Sequence, residues 1–192
     1  QFEELRIWAA IKHLTGRAST AVTELNPVVT RKTDVEHLRD PDFHANALRF
    51  REARLLHTAA ARLRALLSSG RDSFEAVNEV QDHLVKLAEA YGERIALESF
   101  QERVAAVRNN AVRESMSNLC ALYALSCIES DRGWFMESGY LEPVKSKAIR
   151  AELNAACTRA AESAILLVEG WGIPESYLFA PGQHHGDSLA QG

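Results

Sequence analysis

At 192 residues, with 46% hydrophobic and 25% charged residues and a formal net charge of −4, the chain is long enough to bury a core of its own without a disulfide or metal staple. The acidic balance argues against a nucleic-acid partner, whose phosphates ask for a basic surplus, and no apolar run approaches the ~20 residues that span a bilayer. Ala, Leu, Glu and Arg dominate while Gly (10) and Pro (5) are scarce, a mix that favours helix because these side chains lose little freedom in it.

Phe2 to about Leu14 reads as a short amphipathic helix stopping near Gly16, and Asn26-Pro27 opens a polar connector that reaches Asp40. Asp40-Pro41 starts a long helix, predicted over 41–69. The aspartate accepts bonds from orphan amides, and a proline at the first helical position forfeits no hydrogen bond. Its apolar stripe is Leu56, Ala59, Leu63 and Leu66, and Ser68-Ser69-Gly70 ends it. Asp72 or Ser73 caps a second helix, predicted over 73–108. There Val77, Val80, Leu84, Leu87, Tyr91 and Ile95 recur at spacings of three and four, which places them on one face expected to be buried. Gly92 inside this helix costs about 1 kcal/mol relative to alanine and suggests a close helix crossing. Asn109-Asn110 is the junction to a third helix, predicted over 111–130, with Val112, Met116, Leu119 and Tyr123 in register. Glu142-Pro143 starts a fourth, predicted over 143–170, carrying Ile149, Leu153, Ala156, Ala160, Ala164, Leu167 and Trp171. Gly170, Gly172 and Pro174 stop it. Four apolar stripes joined by short turns are most economically buried in an all-α, antiparallel four-helix bundle with a short extra N-terminal helix. The expected division is an N-terminal helix and connector over 1–30, the bundle over 31–181 and a polar, flexible tail over 182–192.

Few constellations point to chemistry. Cys120, Cys127 and Cys157 have no metal-binding spacing, and the first two, seven apart, read as reduced core residues. That fits a reducing compartment. His184-His185 lacks a cysteine at zinc spacing and reads as part of the tail. Glu79 with His83, Asp34 and Glu36 with His37, and Asp40 with His44 miss the paired Glu-x-x-His geometry of a dimetal bundle. No metal site and no catalytic residue is predicted. Arg49, Arg51, Arg54, Glu36 and Glu52 read as a solvated face. The aromatic group Trp134, Phe135 and Tyr140 flanks Gly133 and Gly139, which interrupt the helical period, so the three rings are not expected to turn inward together. They are the candidate domain or subunit interface, with a cap over the bundle end as the alternative, because exposed aromatic rings carry much of the energy of docking surfaces.

Leu119-Cys120-Ala121-Leu122-Tyr123-Ala124-Leu125-Ser126, continuing through Ile128-Glu129 and Asp131 to Gly133-Trp134-Phe135, Gly139-Tyr140-Leu141 and Lys147-Ala148-Ile149, resembles the C-terminal region of acyl-CoA oxidases. Arg49-Phe50-Arg51-Glu52 with Leu55-Leu56, and Ala164 through Leu167-Val168-Glu169 to Gly172-Ile173-Pro174, are similar to two further segments of that family. The resemblance covers about residues 25–181 and is most specific over 119–149. It implies a parent enzyme whose upstream helical and β domains hold FAD and acyl-CoA. There the flavin takes a hydride from the β-carbon, a glutamate takes the α-proton, and oxygen reoxidises the flavin to give peroxide and a 2-enoyl-CoA. The family's catalytic glutamate belongs to a Glu-Gly-Asp-Asn-like motif. The Glu-Gly pair here, Glu169-Gly170, is followed by Trp171-Gly172 and does not match it.

The chain therefore reads as the C-terminal helical domain of a flavin-dependent acyl-CoA oxidase, itself binding no FAD, packing on the catalytic domains of the same parent and supporting a homodimer. Beginning at Gln1 rather than Met, it is expected to be a piece of a longer protein. The expected location is cytoplasmic, or peroxisomal in a eukaryote, although Ser188-Leu189-Ala190-Gln191-Gly192 is not a peroxisomal Ser-Lys-Leu signal. The alternatives are a self-standing helical interaction module and the tail of an acyl-CoA dehydrogenase-like protein.

Overall fold

The computed structural model describes residues 30–170 and 172–173. The predicted helix at 2–14, His184, His185 and the rest of the tail lie outside the described residues. Those described form helices α1 (Val35–Arg39), α2 (Pro41–Ser68), α3 (Ser73–Glu79), α4 (Gln81–Ala106), α5 (Asn110–Ser130), α6 (Arg132–Glu137), α7 (Pro143–Glu162) and α8 (Ala164–Gly170), with no strand among them. The all-α expectation holds.

Capping sets the boundaries. Asp34, Asp40 and Asp72 accept from the backbone amides of His37 (3.0 Å), Asp42 (2.9 Å) and Phe74 (2.9 Å), and Asn109 from that of Val112 (3.2 Å). Each satisfies a donor that the first helical turn leaves without a partner. Pro41 and Pro143 occupy the first helical turn of α2 and α7.

Long helices α2, α4, α5 and α7 form an antiparallel bundle. Between α2 and α4, Leu63 packs with Val80, Thr58 bonds His83 at 2.9 Å, Arg49 bonds Glu98 at 2.8 Å and Gln101 reaches the Pro41 carbonyl at 2.9 Å, so the two run in opposite directions. Arg150 with Glu129 and Arg159 with Asn118 give the same sense to α7 and α5. The main core joins Leu38, Phe43, Leu48, Leu97, Cys120, Leu125, Ile128, Phe135 and Ile149. Both core thiols, Cys120 and Cys127, are pushed up to about 11 by burial, which keeps them protonated and unreactive.

Two predicted long helices are broken. The second pauses at Val80, which is fully buried with Ala76 against Ala60 and Leu63, so α3 closes a second small core at the far end of α2. The fourth pauses at Ser163 before the short α8. The predicted buried stripe on the second helix holds only in part. Val80 is buried, but Tyr91 is 53% and Ile95 40% exposed, and Ala90 and Leu97 face the core instead.

Candidate functional site

Phe135, expected at an interface, is fully buried. Its neighbours Trp134 and Tyr140 are half-buried. Gly139 explains the difference from the sequence reading. It adopts φ +76° after α6, where its amide bonds the Met136 carbonyl and that of Tyr140 bonds the Phe135 carbonyl, each at 3.0 Å. This pair of bonds is a Schellman closure, which folds the residue after the glycine back onto the helix it has left. Tyr140 therefore lands over Phe135 (ring centroids 5.6 Å) and stacks on Phe50 of α2 (4.6 Å), with Trp134 edge-on to Phe135 at 5.3 Å. Gly139, expected to keep the rings from turning inward together, is what brings them together. Burial raises the Tyr140 hydroxyl above its usual range.

Arg51, read as part of a solvated face, is buried. Its guanidinium bridges Glu93 of α4 and Asp131, the latter at 2.7 Å, while its Nε has no partner among the described residues. Arg94 pairs with Glu52 and with Glu98 (2.6 Å), so three helices are joined through charges. Glu152 of α7 accepts from Arg39 (2.7 Å) and Arg159 (2.6 Å). Burial pushes its carboxyl up, but these two guanidiniums hold it below the usual range. No short motif betrays Arg51, because its partners lie 42 and 80 residues away.

The histidines considered as ligands are used in packing. His83 contacts the Thr58 hydroxyl, and His44 Nε2 lies 2.7 Å from the Leu38 carbonyl. His37 Nε2 lies 2.9 Å from Nζ of Lys145, a buried cation that sits 4.0 Å above the Phe43 ring. Burial lowers Lys145 to about 8. Among the described residues no group of three or more His, Cys, Asp or Glu is placed to hold a metal.

Burial, reinforced by Lys145 and Lys32 and opposed by Asp34 and Asp40, also depresses His37. Burial depresses His44 against the Leu38 carbonyl, Asp40 and Glu152. A histidine depressed in the folded state binds its proton more readily once unfolded. Its stabilising contribution is present above the ordinary value of 6.5 and is lost as pH falls through the folded value. Melting temperature should therefore be lower at about pH 5 than at about pH 7.5, with a smaller difference in His37→Gln. An equal pH response in that variant would remove His37 from the account.

The exposed side of α4 is also informative. Val85, Ala88, Gly92, Ile95, Ala96 and Ser99 are exposed and share one face at about 100° per residue, opposite Ala90 and Leu97. None is charged. Apart from the helix's own nearby backbone, no described atom lies within 4 Å of where a Cβ on Gly92 would stand, so the helix that the glycine was expected to admit is not one of those described. A further feature is a groove of about 500 Å3 between α6 and α7, lined by Arg132, Met136, Pro143, Ser146, Lys147 and Arg150 among others.

The sequence model of the family described as "Acyl-CoA oxidase" matches residues 40–187. The chain belongs to the acyl-CoA oxidase family. The "Acyl-coenzyme A oxidase 2, peroxisomal" of Arabidopsis thaliana is 32% identical over 179 residues, 93% of this chain and 26% of that protein. The "Acyl-coenzyme A oxidase-like protein" of Mus musculus is 30% identical over 140 residues, 72% of this chain and 22% of that protein. Among solved structures, Arabidopsis thaliana acyl-CoA oxidase 1 superposes with a TM-score of 0.74 at 22% identity, covering 85% of this chain and 25% of that one. That likeness is one of fold. The chain thus spans about a quarter of the length of the acyl-CoA oxidases it matches.

Proposed function

We propose that this chain is the helical bundle domain of a flavin-dependent acyl-CoA oxidase and that it packs against the oxidase's catalytic part without carrying the chemistry itself. The observation that carries the reading is the exposed face of α4 around Gly92, where six apolar or small residues lie beside Glu89 and Arg103. A glycine mid-helix costs about 1 kcal/mol, and the described bundle does nothing with the space it opens. About three-quarters of each acyl-CoA oxidase matched lies outside the aligned stretch, and that remainder is the occupant the face suits. The partly exposed rims of Trp134 and Tyr140 offer a second contact, with Phe135 supporting them from beneath. Residues 31–181 would form the domain, 1–30 its N-terminal helix and connector, and 182–192 a tail, a division that the family match over 40–187 supports at its N-terminal side.

The whole oxidase would convert acyl-CoA and oxygen to 2-enoyl-CoA and peroxide with FAD, and function as a homodimer. Among the described residues, the groove between α6 and α7 is a candidate flavin site, but it is open and lined by cations and short side chains, with no enclosed apolar slot for an isoalloxazine ring. Several relatives are named peroxisomal, which supports that location if the source is eukaryotic. The purified chain should show no flavin absorbance after gel filtration and yield no peroxide with palmitoyl-CoA. A retained flavin spectrum would overturn the non-catalytic reading.

A further inference from the structure

We propose that the groove between α6 and α7 is a binding site for a phosphate-bearing ligand of nucleotide size. Its volume of about 500 Å3 falls within the ~300–1,000 Å3 of small-molecule sites. Three cations line it, Arg132 from α6 and Lys147 and Arg150 from α7, while no Asp or Glu does. In a chain of net charge −4, that concentration of positive charge runs against the average.

Two of the cations are held in place from behind. Glu129 of α5 does not line the groove, yet its Oε1 accepts from Arg132 Nη1 at 3.0 Å and from Arg150 Nε at 2.8 Å and Nη2 at 2.6 Å. One carboxylate oxygen thus fixes two guanidiniums, leaving Arg132 Nε and Nη2 and Arg150 Nη1 to donate elsewhere. Lys147, one turn before Arg150, enters no ion pair among the described residues. Fixed guanidiniums suit phosphate because their planar donors match its oxygens pairwise, and a nearby ammonium adds a mobile point charge.

The floor is suited as well. Ser146, only 5% exposed, lines the groove, and its hydroxyl makes no hydrogen bond among the described residues. It stands with Pro143 in the first turn of α7, where the helix dipole adds partial positive charge. Met136 and Pro143 supply apolar surface for the uncharged part of a ligand. A carboxylate ligand would use the charge, but the spread of three cations around one groove suits the several oxygens of a phosphate or pyrophosphate better.

Isothermal titration of the 192-residue chain at low ionic strength, with tripolyphosphate, ATP and coenzyme A as probes, tests this. At least one probe should bind, with affinity falling as salt rises. Lys147→Gln and Arg150→Gln should each weaken it by about tenfold or more, and Lys147→Gln should do so without lowering the melting temperature. Lys147→Gln leaves the Glu129 pairs intact, so its effect cannot be ascribed to their loss. Tripolyphosphate binding as tightly as ATP would identify the phosphate chain as the recognised group. A preference for coenzyme A would identify that molecule's nucleotide end as the source. Absence of binding by all three probes, equal affinity in both variants, or tighter binding of an acidic peptide than of any phosphate would overturn the proposal. None of these results bears on whether α4 docks to the catalytic part.

Discussion

Phe135→Ala is expected to destabilise the chain by about 3–5 kcal/mol, the usual cost of emptying a buried phenylalanine site. For a domain of this size that corresponds to a fall in melting temperature of about 6–20 °C. The ring is fully buried, and both of its aromatic partners lean on it, Trp134 edge-on and Tyr140 tilted. Such pairings add about 0.5–1.5 kcal/mol beyond burial. Because Tyr140 reaches Phe135 through the Gly139 turn, the loss should propagate to the α6–α7 connection. Phe135→Leu, which keeps most of the volume, should recover more than half of the stability. A thermal melt followed by circular dichroism decides it. A shift of only a degree or two for Phe135→Ala would mean that the ring is dispensable to the core and would restore the interface reading drawn from the sequence.

Arg51→Met is expected to cost about 2–4 kcal/mol, somewhat less than the 3–5 typical of a severed buried pair. The discount follows from the partners. The Arg51 side chain is 3% exposed, but Glu93 and Asp131 are 36% and 32% exposed, so water partly solvates the carboxylates left behind. Methionine retains the stem's packing and isolates the charge. Adding Glu93→Gln and Asp131→Asn to Arg51→Met should recover most of the loss, since what destabilises is uncompensated charge rather than the missing ion pair. Arg51→Lys should rescue only in part, because a single ammonium cannot span α4 and Asp131 as a guanidinium fork does. Chemical denaturation of the three variants measures this. A triple variant no more stable than Arg51→Met would show that the arginine stem or its geometry, and not its charge, holds the three helices.

What the sequence made legible was local. Asp40-Pro41, Asp72 and Asn109 announce helix starts through side chains that act within three residues, and each caps the helix it precedes. The break at Val80 was not legible. The apolar spacing continues through it, and the cause is burial against Ala60 and Leu63 of a different helix. The fate of Phe135 depended on a positive φ at Gly139, which composition does not disclose, and that of Arg51 on carboxylates distant in sequence. The face of α4 was misassigned for another reason. Apolar or small residues occupy both of its sides, and periodicity alone does not say which side the chain's own helices cover. The groove has no sequence signature, because Arg132 and Arg150 are brought together by Glu129 of α5.

The proposed docking of this bundle through α4 to the catalytic part of an acyl-CoA oxidase is tested by the affinity of the 192-residue chain for the separately expressed remainder of the oxidase, measured by titration with wild type, Ile95→Glu and Gly92→Ala. The account predicts binding by wild type and a loss of about tenfold or more for Ile95→Glu, a central apolar contact turned into a charge. It further predicts weaker docking for Gly92→Ala even as that variant, with open space around the new methyl, gains up to about 1 kcal/mol of stability in isolation. Wild-type affinity retained by both variants, or no binding of the wild-type chain to the remainder, would contradict it.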